Sequence, residues 1–336
     1  MSERVAYVEV LRGAVVESRH RVSIAVAGPD GRLRASAGSP GCMVFARSAV
    51  KPVQAMPLLE DGVVQRFGWG APELALACGS HSGEARHVEI ARSMLASLGL
   101  TADALACGAH APFNNAAARE LSERGETPTR LHNNCSGKHA GMLALAVAHG
   151  WPLRGYHEAD HPVQRRMLDE MVRWSGIPEE RIDLAADGCG VVTFAVPLSA
   201  LALTFARLAA AGRTSGTPAA RLIEAMTDFP ELVGGAHRLC TELMRTTRGR
   251  IFAKVGAEGV YCAGVSGAEM GIALKVEDGA KRAAEPALLA VLRLLGLLTD
   301  EDMEKLENYA TPNVLNTRGD VVGLLRTSID LETSHG

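Results

Sequence analysis

The chain has no apolar run long enough to cross a bilayer, and its first residues, Met-Ser-Glu-Arg-Val, show no basic stretch followed by an apolar segment. Neither a membrane span nor a secretory leader is expected, and a cytoplasmic protein is. Clusters of Lys and Arg interleaved with aromatics are also missing: aromatic residues make up 4% of the chain, the net charge is −3 and the pI is near 6.4. That balance argues against nucleic acid and membrane surfaces as partners and for small solutes. A disulfide framework is absent as well. Seven cysteines (Cys42, Cys78, Cys107, Cys135, Cys189, Cys240 and Cys262) make an odd count spread over 336 residues, the pattern of reduced thiols. No charge block, proline tract or internal repeat marks a linker, so residues 1–336 read as one domain.

Apolar residues are plentiful, at 47% of the chain, enough for a substantial core. Strand-like patterns occupy residues 5–10 and 22–26, the second followed by the turn Gly28-Pro29-Asp30-Gly31, and return at 250–254, 259–263 and 270–276. Helical periodicity covers 84–98, 114–123, 138–148, 161–174, 198–211 and 285–298. Residues 327–336 read as a polar, loosely held tail. The expected fold class is α+β, a mixed and mainly antiparallel sheet built from both ends of the chain, with helices around it and a helical lobe inserted.

The most informative local feature is Arg47-Ser48-Ala49-Val50-Lys51. Positions i and i+3 share one face of a helical turn, so the Lys51 amine can reach the Ser48 hydroxyl. A serine is a weak nucleophile until a base takes its proton, and a lysine serves once burial or a nearby cation such as Arg47 lowers its pKa. The apolar, β-like stretch 42–46 precedes the serine, and Val53, Met56, Leu58 and Leu59 read as a buried helix after it. Pro52 suits a first helical turn, while Pro57 is expected to kink or shorten the helix.

Three further segments concentrate reactive groups. Cys78-Gly79-Ser80-His81-Ser82-Gly83-Glu84 is a small-residue loop in which Ser80 or Ser82 either caps the next helix or, for Ser80, relays protons or binds substrate. His132-Asn133-Asn134-Cys135-Ser136-Gly137-Lys138-His139 holds more amide, thiol, amine and imidazole than a helix cap needs. Asp187-Gly188-Cys189-Gly190 sets a thiol and a carboxylate between glycines. Cys135 and Cys189 lack the paired spacing of a structural zinc site, but both thiolates can bind one zinc in an open site, with Lys138, His139, Asp187 and water competing for the other positions. Lys254-Val255-Gly256 ends a strand, where its lysine can line a serine's site and repel the charge on Lys51.

In this order, the segments at Arg47–Pro52, Cys78–Glu84, Asn133–Met142, Asp187–Gly190 and Lys254–Gly259 resemble the asparaginase II family, the rhizobial-type (class 3) L-asparaginases. The resemblance implies a serine β-lactamase and penicillin-binding-protein-like fold. It implies hydrolysis of L-asparagine to L-aspartate and ammonia, with Ser48 as nucleophile, Lys51 as its base, and Ser80 with Lys254 as a second Ser–Lys pair. It further implies one zinc held by Cys135, Lys138 and Cys189, substrate-side or metal-side roles for Arg47, His139 and Asp187, and a homodimer. Backbone N–H groups at Ser48 and near Gly256 are the expected oxyanion donors. The rival readings are a glutaminase or other small-amide hydrolase, whose substrate differs by about one methylene, and a non-catalytic zinc-binding protein.

Overall fold

The computed structural model describes residues 6–333. The chain divides into two compact units, one of Met1–Ala49, Val196–Ala210 and Glu242–Gly336, the other of Val50–Ala195 and Ala211–Thr241. Its strands, in chain order, are β1 (Ala6–Arg12), β2 (Val15–Ala27), β3 (Leu33–Ala37), β4 (Met43–Phe45), β5 (Asp183–Ala186) and β6 (Val192–Pro197). The later ones are β7 (Ile251–Val255), β8 (Val260–Val265), β9 (Met270–Val276), β10 (Asn313–Leu315), β11 (Val321–Ile329) and β12 (Glu332–Thr333).

The first unit is built on an antiparallel sheet in the order β10-β11-β1-β2-β9-β8-β7, with β3 also on β2 and β12 on β3. The α+β class is therefore as expected. The strand β2 shows why both ends of the chain must meet: its first half alternates between exposed and covered residues, then Val22–Ala27 is buried without interruption. That second half lies between β9 and β3, so neither face nor edge sees water. The helix Leu198–Ala211 lies directly on β9, where a Cβ added at Gly271 would fall 1.9 Å from the Ala202 carbonyl oxygen, so only glycine permits the approach.

Two expectations change here. Residues 327–329 are not a loose tail but the end of β11, with Thr327 opposite Val8 and Ile329 opposite Ala6, and Glu332 and Thr333 pair with Ser36 and Ala35. The segment's polar residues alternate with apolar ones at period two, which is the pattern of a strand with one wet face. The helix expected at 285–298 runs earlier, over Lys281–Leu294. Val5 and residues 334–336 lie outside the described residues.

The second unit is mainly helical. Its central helix, Ser136–His149, is buried at every position from Ser136 to Ala146 and is ringed by the helices Lys51–Glu60, Ala71–Ala77, Ala85–Ser97 and Pro162–Ser175. A helix covered on all sides must be small or apolar throughout, which its run of Ala, Gly, Leu and Met supplies. At Gly137 a Cβ would sit 2.5 Å from the Leu76 carbonyl oxygen, so the start of this helix meets the end of Ala71–Ala77 backbone to backbone. Pro57 does not break its helix, which runs to Glu60 and closes with the Asp61 N–H on the Pro57 carbonyl at 2.9 Å. Arg166 then ties Glu60 and Asp61 to the helix Pro162–Ser175 at 3.0 and 3.1 Å. Among the described residues no helix is long and apolar enough to cross a membrane.

Candidate active site

Ser48 stands in a 3-10 turn, Arg47–Val50, that follows β4 directly. The chain reverses there through Arg47, whose φ of 49° is left-handed, a conformation that costs a non-glycine residue about 1–2 kcal/mol. The turn leaves Ser48 partly exposed while Ala49, whose N–H bonds the Ala46 carbonyl at 3.1 Å, is buried. In the same unit Lys254 is fully buried on β7, opposite Cys262 of β8, and donates to the Val255 carbonyl at 2.8 Å. The Gly256 N–H is not available as an oxyanion donor, because the hairpin that follows β7 commits it to the Val260 carbonyl at 2.8 Å.

In the helical unit Lys51 has no exposed surface. Its Nζ contacts three oxygens: the Gly79 carbonyl, the Asn134 carbonyl at 3.3 Å and Ser80 Oγ at 3.0 Å. Burial, with the Lys138 cation adding repulsion, pushes its pKa below the usual lysine value. The amine donates to all three oxygens; once it loses a proton, two hydrogens serve the carbonyls and the lone pair faces Ser80 Oγ. The structure thus joins Lys51 to Ser80, the serine that the resemblance assigns to the other Ser–Lys pair. The Ser80 loop is held by its own N–H on the Val233 carbonyl at 2.8 Å. Neither Ser80 nor Ser82 caps the following helix; Glu84 is its N-cap, with His87 Nδ1 accepting the Glu84 N–H at 3.0 Å.

The segment 133–139 brings its groups to the start of the central helix. Asn133 accepts the Cys135 N–H at 2.9 Å and donates to the Gly108 carbonyl at 2.7 Å, fixing the turn that precedes Cys135. Lys138, only 5% exposed, donates to Cys189 Sγ at 3.1 Å, and Asp187 Oδ2 lies 3.6 Å from the same sulfur. The Cys189 loop is a tight turn closed by Gly190 N–H on the Asp187 carbonyl at 2.8 Å, with Gly190 at φ 90°. Hydrogen bonding from Cys135, with the Lys138 cation beside it, outweighs burial and holds Cys189 at about 5. The same bond and then burial push Cys135 up to about 12. For Lys138 burial works against the charge, but Cys189, Cys135 and Asp187 outweigh it and raise the ammonium above its ordinary value. One thiolate, one thiol and one ammonium therefore share a dry corner of the unit. A cavity of about 370 Å³ lies beside it, lined by His157, Leu184, Gly190, Val191 and Val192 among others.

His139, which follows Lys138, is fully buried and, with burial the largest cause, is held down at about 3, hence neutral. Two residues nearby were given no role by their sequence pattern alone. His81 is buried, accepts the Gly83 N–H on Nδ1 at 3.2 Å and so donates from Nε2 to Ser136 Oγ at 2.9 Å. Tyr156 bonds His139 Nδ1 at 2.6 Å and accepts the Ala106 N–H at 2.9 Å. His81 stood in the open within its motif; for Tyr156 nothing in the local pattern marks it.

This arrangement, a buried amine on a serine hydroxyl beside a thiol–amine cluster, lies within a chain that belongs to the L-asparaginase II family, whose pattern matches residues 8–327. The comparison with curated proteins finds no match. Among solved structures the chain is similar to Mglu in its native form in the presence of 4.3M NaCl, at 18% identity and a TM-score of 0.36 over 84% of this chain and 63% of that one. A second Mglu structure gives 18% identity and a TM-score of 0.37 over 82% and 66% of the two chains. The chain thus spans just under two thirds of the length of those structures.

Proposed function

We propose that the protein hydrolyses the side-chain amide of L-asparagine to L-aspartate and ammonia through an acyl-enzyme on Ser48. The observation that carries the reading is the fully buried Lys51 amine on Ser80 Oγ at 3.0 Å, three residues along the chain from Ser48, in a member of the L-asparaginase II family. Ser48 Oγ adds to the amide carbon and gives its proton to Lys51, three residues along the chain. When the tetrahedral adduct collapses the C–N bond breaks, and the proton leaves with ammonia. Water then attacks the ester by the same route, giving aspartate and restoring the serine. Lys254 is the second amine of the site, and the Ser48 N–H remains the assigned oxyanion donor. Arg47, His139 and Asp187 are assigned to the substrate's amino and carboxylate ends. The serine β-lactamase-like fold, a single functional domain, a cytoplasmic setting and a homodimer belong to the same proposal.

Zinc fits the residues of the thiol–amine cluster. The donors proposed for it are Cys135, Cys189 and the Lys138 amine; among the described residues no three His, Cys, Asp or Glu side chains are arranged to hold a metal. A thiolate already present at Cys189 suits a soft-ligand site, while Lys138 must shed its proton to bind. Bound there, the ion would supply a positive charge that orients the polar end of the substrate.

Ammonia release from L-asparagine and from L-glutamine tests the function. Release from asparagine that Ser48→Ala abolishes supports it; turnover that survives Ser48→Ala, or equimolar zinc with no turnover of either amide, rejects it. Metal analysis after chelator dialysis, compared with Cys189→Ser, reads the zinc assignment separately.

A further inference from the structure

Tyr156 Oη sits between a group that can only donate and one that can do either. The Ala106 N–H reaches it at 2.9 Å, so the oxygen is already an acceptor. Its own hydrogen needs a place, and His139 Nδ1 lies 2.6 Å away. If Nδ1 carried the proton, the phenol oxygen would receive two hydrogens and its own O–H would be buried without an acceptor among the described residues. The arrangement is satisfied only when Tyr156 donates to Nδ1, which leaves the His139 proton on Nε2.

That Nε2–H is buried and has no partner among the described residues. An unmatched buried donor costs about 1–3 kcal/mol, so its retention points to a partner the chain does not itself supply. The donor belongs to a residue in the first turn of the central helix, next to Lys138 and four residues from Cys135. Gln164 holds the other side of the tyrosine: its Nε2 donates to the Tyr156 carbonyl at 2.9 Å and to Met142 Sδ at 3.4 Å. Its Oε1, and Nδ1 of His157, which follows Tyr156, are also buried without a partner among the described residues.

We propose that Tyr156 is a positioning residue that locks His139 in its Nε2–H tautomer, so that His139 donates that hydrogen to a carboxylate oxygen of the bound amino acid. The identity of the acceptor rests on the amidohydrolase reading above; the tautomer assignment does not. Histidine-labelled protein, read by long-range proton–nitrogen correlation with His139 assigned by its loss in His139→Gln, gives the test. The native protein is expected to show Nε2–H at His139, and saturating L-aspartate is expected to shift that nitrogen. Tyr156→Phe is expected to mix the tautomers and raise KM for L-asparagine about tenfold, the value of one hydrogen bond, with kcat nearly unchanged. His139→Gln, whose side-chain NH2 can replace the Nε2 donor, is expected to keep KM closer to native than His139→Asn.

An Nδ1–H tautomer in the native protein overturns the proposal without recourse to any variant. So does a folded Tyr156→Phe with unchanged tautomer and KM. Bound aspartate that leaves Nε2 unmoved also overturns it and assigns the donor to a buried water shared with Gln164. Absence of any turnover with the Nε2–H tautomer in place would support the Tyr156 lock and locate the failure in the amidohydrolase reading.

Discussion

Lys51 and Lys138 belong to the same helical unit, both are buried, and they are driven in opposite directions. Lys51, with no exposed surface, is lowered because burial, with the Lys138 cation, outweighs the opposing pull of Cys135 and Cys189, and the oxygens it contacts carry no charge. Lys138, 5% exposed, is raised because the Cys189 thiolate at 3.1 Å, with Cys135 and Asp187, more than repays the same burial. Depth alone therefore does not decide what a lysine can do. A ring of carbonyls and a hydroxyl makes a base; a thiolate makes an ammonium or, after loss of its proton, a metal ligand.

The largest break in this contrast is Lys51→Arg. A guanidinium stays charged at any working pH, so it keeps the cation and removes the base. Asparagine turnover is expected to fall by about a thousandfold, within the range for loss of a general base, while circular dichroism remains native. Retention of more than a tenth of the activity would remove Lys51 from the chemistry. A pH profile sharpens the same comparison. The base must be neutral, so turnover rises with pH as Lys51 loses its proton; burial lowers that pKa, and the acid limb is expected below the usual lysine value of 10.5. If the limb lay at or above that value, the three-oxygen cage would be stabilising an ammonium instead.

Sequence spacing anticipated one half of this arrangement. The helices of the middle segment follow the apolar period closely, and 198–211 agrees with Leu198–Ala211 to the residue, because a buried face at period 3.6 is a local property. The three Lys51 contacts are not local. They come from Gly79, Ser80 and Asn134, which the fold delivers from 28 to 83 residues away, so i,i+3 spacing pointed to Ser48 and missed the Ser80 contact. The end of β11 was misread for a related reason: it is identifiable by its place beside β1, whereas its own residues are mostly half-wet. Tyr156 is harder still, since a lone tyrosine acquires meaning only from Ala106 and His139, both distant in sequence.

Smaller effects are expected from the two glycines that set the central helix against its neighbours, and the pair is more telling than either alone. Gly137→Ala gains about 1 kcal/mol of helix propensity but puts a methyl 2.5 Å from the Leu76 carbonyl oxygen, a backbone atom that cannot step aside. Overpacking there is expected to cost more than it gains, for a net loss of about 1–2 kcal/mol in urea unfolding. It should also reduce turnover, because Leu76 leads directly into the Gly79–Ser80 cage. Gly141→Ala, one turn along, makes the same gain against a softer neighbour, Leu58 Cδ1 at 3.1 Å, which can rotate. Its stability is expected within about 0.5 kcal/mol of native, with turnover unchanged. Equal effects from both substitutions would mean that helix propensity, rather than the backbone approach at Leu76, sets the separation on which the Lys51 cage depends.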